Sequence, residues 1–351
     1  MLNFFRVILS PLVLVFSFII KVRNWFFDKN IFNAVKVNAT VISVGNLTVG
    51  GSGKTPTVIM IASYLKSINK KVGVLSRGYG RSSIGYVYVS DGKNIYSTVD
   101  ECGDEMYFMS QELQVPTAVS ERRVNGARKF IDDAGVDTII LDDAFQHRWI
   151  HRDVDVVIFD QNFLDKSDQI EQSLLPLGLM REPFDSIERA DIVIINRKFS
   201  DKIEIPDKLK KYFEGKNVFT GYYQAEGIYD VKTHHFFNMN EFQGQKSLVV
   251  CGVALPFSFL YVLEKNEIDI TNKMIFQDHK KYTLKEVQDI RKKFYETNTY
   301  SVLTTQKDAV KLNKFSKDLD DIDIFYLKIE LKLDEQNLFN EQIIKTMNKT
   351  K

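Results

Sequence analysis

The chain opens on a run free of charge, Val7 to Ile20, set between Arg6 and Lys21 and broken only by Ser10, Pro11 and Ser17. As a helix such a run rises about 21 Å, short of a hydrocarbon core of about 30 Å, and Leu2, Phe4 and Phe5 narrow the gap. Lys21 and Arg23 follow, then Trp25, Phe26, Phe27, Ile31 and Phe32, a basic and aromatic border of the kind that sits at a headgroup interface. A cleaved signal peptide and a buried core helix are the competing readings, but no small-residue cleavage site follows the run. The pattern favours a membrane-associated helix over residues 1–30, with the chain after it cytoplasmic.

Beyond it the pattern changes to short β-branched runs. Thr40 to Val44, Lys71 to Leu75, Thr138 to Leu141, Asp155 to Phe159 and Asp191 to Ile195 read as buried strands, and Glu101 to Leu113 and Ser120 to Ala134 as helices between them. Such alternation predicts an α/β fold with a mostly parallel sheet, here a P-loop-like lobe over residues 31–225. From about Ile228, Val231 to Phe237 suggest short antiparallel pieces, Ser247 to Cys251 a strand, and Thr283 to Tyr295 and Lys307 to Leu312 helices. These predict a second, smaller α/β lobe over residues 226–351, with a cleft between the lobes. No linker-like composition marks the boundary near residue 225.

Composition narrows the function classes. With 44% apolar and 26% charged residues the chain has a core to bury, which excludes a disordered or fibrous protein. Lys plus Arg is 47 against 46 for Asp plus Glu, so there is no broad basic footprint for nucleic acid and anion recognition must be local. Cys102 and Cys251 are far apart and outside any C-x-x-C spacing, which suggests neither a zinc site nor a disulfide framework. No feature predicts a protein partner.

The first strand runs into Thr48-Val49-Gly50-Gly51-Ser52-Gly53-Lys54-Thr55, which matches G-x-x-x-x-G-K-[ST] except that Thr48 stands in place of the first glycine. Glycines let backbone N–H groups converge on phosphate oxygens, and the N-terminus of the next helix adds partial positive charge. Residues 48–55 are therefore the candidate nucleotide cradle, with Lys54 reaching the terminal phosphates and the Thr55 hydroxyl a Mg²⁺ ligand. A glycine-rich turn capping an ordinary helix is the bland alternative. Ser76-Arg77-Gly78-Tyr79-Gly80-Arg81 places two cations among glycines at a strand end, where ligands of such sheets bind. Asp142 and Asp143 close another buried strand, the usual place of the second magnesium element of a P-loop protein. A helix N-cap is the competing role for one of them.

Taken in order, Gly45 to Pro56, Ser76 to Gly80, Gly103-Asp104-Glu105, Asp142-Asp143-Ala144-Phe145-Gln146-His147, Leu175 to Gly178, Met180-Arg181-Glu182-Pro183, Asp278-His279 and Thr304 to Lys311 closely resemble the tetraacyldisaccharide 4'-kinase family, the lipid A 4'-kinases. The resemblance covers nearly the whole chain. It implies ATP- and Mg²⁺-dependent phosphorylation of the 4'-hydroxyl of a tetraacylated glucosamine disaccharide 1-phosphate at the cytoplasmic face of the inner membrane. The apolar N-terminus fits a substrate too apolar to leave a bilayer.

What the resemblance implies for individual residues is specific. Asp104 matches the catalytic base, with His279 as its partner, although Asp104 read alone is a helix N-cap and His279 a surface histidine. Asp142, Asp143, Gln146 and Glu182 join Thr55 as metal-shell candidates, since oxygen donors suit Mg²⁺. Arg181 balances charge on the transferring phosphate, and Arg77, Tyr79, Arg123 and His147 are candidate contacts for the sugar phosphate. A membrane-associated regulatory NTPase is the rival reading. A GTPase version of it would want Asn-Lys-x-Asp, and neither Asn196-Arg197-Lys198 nor Gln306-Lys307-Asp308 has that order.

Overall fold

The computed structural model describes residues 2–166, 170–253, 256–278 and 280–349, with backbone alone for residues 2–9. A long helix, α1 (Leu2–Asp28), leads into β1 (Thr40–Gly45), α2 (Lys54–Ser67), β2 (Val72–Ser76), β3 (Val87–Ser90), α3 (Val99–Cys102), α4 (Asp104–Glu112), β4 (Thr117–Val119), α5 (Arg123–Ala134) and β5 (Thr138–Asp142). The chain continues through β6 (Val154–Asp160), α6 (Gln161–Asp165), β7 (Ile192–Asn196), α7 (Asp207–Phe213), β8 (Asn217–Asp230) and β9 (Phe236–Phe237). It ends with β10 (Lys246–Cys251), α8 (Pro256–Lys265), β11 (Asp269–Ile275), α9 (Leu284–Glu296), β12 (Ser301–Thr305), α10 (Gln306–Leu312), β13 (Ile324–Leu333) and α11 (Gln336–Lys349).

All the strands form one sheet, in the order β11-β10-β12-β13-β8-β7-β6-β1-β5-β2-β4-β3, with β9 paired to β8. Strands β2, β5 and β7 are buried at every position, the mark of parallel strands covered by helices on both faces. On one face Val58, Ile61 and Leu65 of α2 pack with Ile42, Ile140 and Met106. On the other, Ala127 and Phe130 of α5 pack with Leu75 and Ile139. Gly73 is part of that fit, because a Cβ there would lie 2.6 Å from the Phe130 ring.

The expected halves are joined by strand pairing. The start of β8 runs parallel to β7 and its remainder antiparallel to β13, so a boundary near residue 225 falls inside a strand and marks a change of partner. The register shifts between Lys328 and Ile329, which leaves Glu226 of β8 as a bulge. Bulges bend and twist a strand, and this one sits where the sheet passes from one half to the other. The helix expected over Glu101 to Leu113 is broken at Gly103, whose φ is +86°. A Cβ on that glycine would sit 2.8 Å from the Tyr79 carbonyl, and the break makes Asp104 the first residue of α4.

Among the described residues, helix α1 docks by its last turns and by the segment that follows it. Phe27 and Phe32 each lie 5.0 Å from the Trp149 ring, Arg148 stacks 4.9 Å over Phe27, and Arg148 pairs with Asp28 at 2.7 Å. Further up the helix Leu12, Leu14, Val15, Phe18 and Ile19 are all exposed. Only 6% of the apolar stretch within Ser10–Asp28 is buried, which excludes the reading as a core helix. Exposing so many large apolar side chains to water is unfavourable by roughly 1.5–3 kcal/mol each relative to burial, so this face wants an apolar surrounding.

A candidate phosphoryl-transfer cleft

Strand β1 ends at Gly45, where a Cβ would lie 2.6 Å from that of Phe145, so only glycine lets the loop after β5 come so close. The next residue, the buried Asn46, organises the loop after β1. Its amide nitrogen donates to Ser52 Oγ at 2.8 Å, and its backbone oxygen accepts from Gln146 Nε2 at 2.9 Å and Arg181 Nη2 at 3.2 Å. Gly50 and Gly53 have φ of +104° and +107°, a region that favours glycine. Asn196, at the end of β7, donates to the Ser52 carbonyl at 3.1 Å and packs with Tyr223 where a Gly53 side chain would be. Gly50 and Gly51 are exposed, with open space where a Cβ would stand, so a ligand can approach the loop's backbone there, as an anion cradle requires.

Charges gather around it. Lys54 Nζ lies 3.5 Å from Asn46 Oδ1 and 3.8 Å from Asp143 Oδ1. Arg181 grips Asp143 with two hydrogen bonds, at 2.7 and 3.2 Å, and also reaches Asn46 Oδ1. Burial alone raises the Asp143 pKa, but Lys54 and Arg181 outweigh it and hold the carboxyl below its ordinary range. Asp142 differs. Ser76 Oγ donates to Asp142 Oδ2 at 3.0 Å, whereas Oδ1 is buried with no partner among the described residues. Burial, together with the Glu105 and Asp143 charges, pushes Asp142 up to about 6.

Among the described residues that line the cleft, Gln146 Oε1 is another buried oxygen without a partner, and Thr55 is buried at the end of the loop. Unpaired buried oxygens are rare and want an explanation, and a divalent cation supplies one. Among the described residues no cluster of three His, Cys, Asp or Glu is poised to hold a metal unaided. Mg²⁺ needs only one or two protein oxygens and completes its shell with phosphate and water.

Arg123 is buried, donating to the Ser120 and Asp142 carbonyls; burial draws its guanidinium down to about 10, so it stays charged at neutral pH. Arg77 and Tyr79 line the cleft. His147 does too, and burial plus the nearby Arg123, Arg152, Arg77 and Arg23 depress its imidazole to about 4, which leaves it neutral at physiological pH. Glu182 does not face the cleft: it is fully buried, with Oε1 on Arg23 at 2.7 Å and Oε2 on Arg189 at 2.6 Å and Asn24 at 3.2 Å.

The halves meet where α4 faces α10. Lys311 Nζ lies 3.5 Å from Asp104 Oδ2 and 3.4 Å from Asp308 Oδ1, and Lys307 pairs with Glu105. Asp308 is itself buried, accepting from the Gly252 N–H and the Thr305 hydroxyl, each at 2.8 Å. Burial works against the charge of Glu105, yet Lys307 holds its pKa below the ordinary value. His279 lies outside the described residues; the preceding Asp278 lines the cleft. The cleft encloses about 1180 Å³, more than the roughly 300–1,000 Å³ of an ordinary ligand pocket, which leaves room for a nucleotide and an acceptor together.

Sequence reasoning assigned no role to Asn46, Ser76, Glu105, Asn196, Lys307 or Lys311. Five of these six lie in stretches singled out as motifs: Asn46 in Gly45 to Pro56, Ser76 at a strand end, Glu105 beside Asp104, and Lys307 and Lys311 in Thr304 to Lys311. Asn196 stands outside them, in a triplet that lacks the guanine-reader order.

A phosphate loop on an α/β sheet, a strand-end carboxylate with a free oxygen, and a cleft wide enough for two ligands define a P-loop phosphotransferase. The chain belongs to the tetraacyldisaccharide-1-P 4'-kinase family, whose model matches residues 5–348. It is 31% identical to a tetraacyldisaccharide 4'-kinase of Chlorobium phaeobacteroides, over 97% of this chain and 96% of that one. It is 35% identical to one of Halothermothrix orenii, over 93% of this chain and 88% of that one. A crystal structure of LpxK from Aquifex aeolicus in complex with ATP superposes with a TM-score of 0.80 at 30% identity, covering 98% of this chain and 99% of that chain.

Proposed function

We propose that this cleft performs the family's reaction with the residues gathered around the phosphate loop. The protein is an ATP-dependent kinase that phosphorylates the 4'-hydroxyl of a tetraacylated glucosamine disaccharide 1-phosphate. The observation that carries the residue assignment is that Asp142 Oδ1 and Gln146 Oε1 are buried without partners among the described residues, in the cleft that Lys54 and Thr55 also line.

Within residues 48–55 the Val49 and Ser52 N–H groups are bonded to the Leu179 and Gly50 carbonyls, so the remaining N–H groups toward the start of α2 hold the β- and γ-phosphates, and Lys54 neutralises them. Thr55, Asp142 and Gln146 would hold Mg²⁺, which neutralises phosphate charge when bound. Asp143 fixes Lys54 and Arg181 in place, and Arg181 lies over the loop where charge grows on the transferring group. Asp104 takes the proton of the 4'-hydroxyl as its oxygen bonds to the γ-phosphorus and the bond to the bridging oxygen of ADP breaks. Lys311 Nζ stands 3.5 Å from Asp104 Oδ2, and His279 keeps the partner role the resemblance implies. Arg77, Tyr79, Arg123 and His147 face the 1-phosphorylated sugar. The exposed apolar side of α1 is taken to lie in the cytoplasmic leaflet of the inner membrane, which brings the cleft to its lipid.

The test is to incubate the purified chain with γ-labelled ATP, Mg²⁺ and the disaccharide lipid, beside Asp104→Ala and Lys54→Ala. Label is expected in the lipid for the wild type and in neither variant. Label appearing in free phosphate, with the lipid unlabelled, would overturn the assignment in favour of a hydrolytic switch.

A further inference from the structure

Residues 179–182 form a strap across the phosphate loop. The Val49 N–H donates to the Leu179 carbonyl at 2.8 Å, the Arg181 N–H to the Leu47 carbonyl at 2.7 Å, and Thr48 bridges Met180 antiparallel between them. The Arg181 guanidinium then reaches Asp143 and Asn46 on the cleft side. The next side chain, Glu182, goes the other way, to Arg23 and Asn24 of α1 and to Arg189. A second contact repeats the arrangement: Arg148, one residue after the cleft residue His147, donates to the Asn24 carbonyl at 3.2 Å and to Asp28 at 2.7 Å.

We infer that Arg23 is a positioning residue for the nucleotide site, and that α1 is part of the scaffold of the phosphate loop as well as an apolar surface. Glu182 is fully buried, and its two oxygens are divided between cations: Arg23 on Oε1, Arg189 and Asn24 on Oε2. Without Arg23 a buried carboxylate oxygen loses its cation, an unfavourable state that the strap relieves by moving toward water. Movement at Glu182 is movement of Arg181, one residue away and bonded to the loop. Seating of α1 and binding of ATP are therefore linked, and each strengthens the other by the same factor. The inference rests on the assignment of residues 48–55 as the ATP site.

The experiment measures binding of a non-hydrolysable ATP analogue with Mg²⁺ to the full-length protein in detergent, without lipid substrate, for wild type, Arg23→Met, Arg23→Lys and Phe18→Ser. Pelleting with vesicles of anionic phospholipid is measured in parallel. Arg23→Met is expected to weaken the analogue about tenfold, within the range of ordinary coupling between sites, and to raise KM for ATP more than it lowers kcat. Arg23→Lys is expected to recover most of the loss. Phe18→Ser, on the exposed face, is expected to reduce pelleting and leave analogue affinity within about twofold of wild type. Unchanged affinity in Arg23→Met, or an equal loss in Phe18→Ser, would overturn the inference. A wild type that binds no analogue would instead overturn the site assignment itself. If Arg23→Met does not fold, Asn24→Ala removes a weaker bond to the same carboxylate; a two- to threefold loss of affinity is expected there, and none would count against the coupling.

Discussion

Asp142 and Glu182 are both carboxylates read from the sequence as candidate metal ligands, and both are buried, at 3% and 0% exposure. Their surroundings are opposite. Among the described residues Asp142 keeps one oxygen without a partner, and burial, with the like charges of Glu105 and Asp143 added to it, pushes its carboxyl up to about 6. Glu182 sits between two arginines, and although burial works against its charge they hold its pKa below the ordinary value. Burial of an acid therefore says little about its role. A carboxylate saturated by protein cations is a strut, whereas one left short of a cation is prepared to receive one.

The largest effect that would break this comparison is on catalysis. Asp142→Asn is expected to lower kcat by about a hundred- to a thousandfold, the magnitude seen when one electrostatic partner of a transition state is lost. It is also expected to raise the Mg²⁺ concentration needed for activity, whereas Glu182→Gln should leave that concentration unchanged once the protein is folded. A Mg²⁺ titration of both variants decides this, and equal shifts would erase the distinction. Next in size is stability: Glu182→Gln strands two arginines and is expected to cost about 3–5 kcal/mol in denaturant unfolding.

The pH dependence should then carry opposite signs. Asp142 binds its proton more tightly in the folded state, so its contribution to stability is present below the ordinary carboxylate range and is lost as pH rises to about 6. Asp142→Asn is thus expected to gain stability relative to wild type between about pH 4 and pH 7, by an amount on the order of 3 kcal/mol, without Mg²⁺. Glu182, held low, contributes above the ordinary range and loses that contribution as pH falls through its folded value, so the deficit of Glu182→Gln should shrink in acid. Unfolding curves across this range check both, and a common sign would refute the contrast. The smallest expected effect is Ser76→Ala, which removes the hydroxyl on Asp142 Oδ2 and should shift stability by about 1 kcal/mol and the Mg²⁺ midpoint by a few-fold.

Much of the molecule was legible along the chain because the signals are local. Thr40 to Val44 reads as a buried strand from its β-branched run, and Gly50 to Thr55 as a phosphate loop, because backbone freedom at glycine and the chemistry of Lys54 and Thr55 belong to those residues wherever they fold. The apolar helix α1 follows from a charge-free, mostly apolar run in the same way. Local pattern erred where a single residue changed the backbone, as at Gly103, which splits an expected helix and sets Asp104 at the start of α4.

Other features depend on residues far apart in sequence. Which of the acidic residues keeps a free oxygen is decided by whether Arg23, 159 positions from Glu182, arrives beside it. That Lys307 and Lys311 face Glu105 and Asp104 follows from the antiparallel seam between β8 and β13, which brings the two halves together. The chain alone determined the cradle for phosphate and the apolar helix, because periodicity and residue chemistry carry them. Only the tertiary structure decided which charges neutralise one another, because ion pairing is set by distance in space and by exclusion of water.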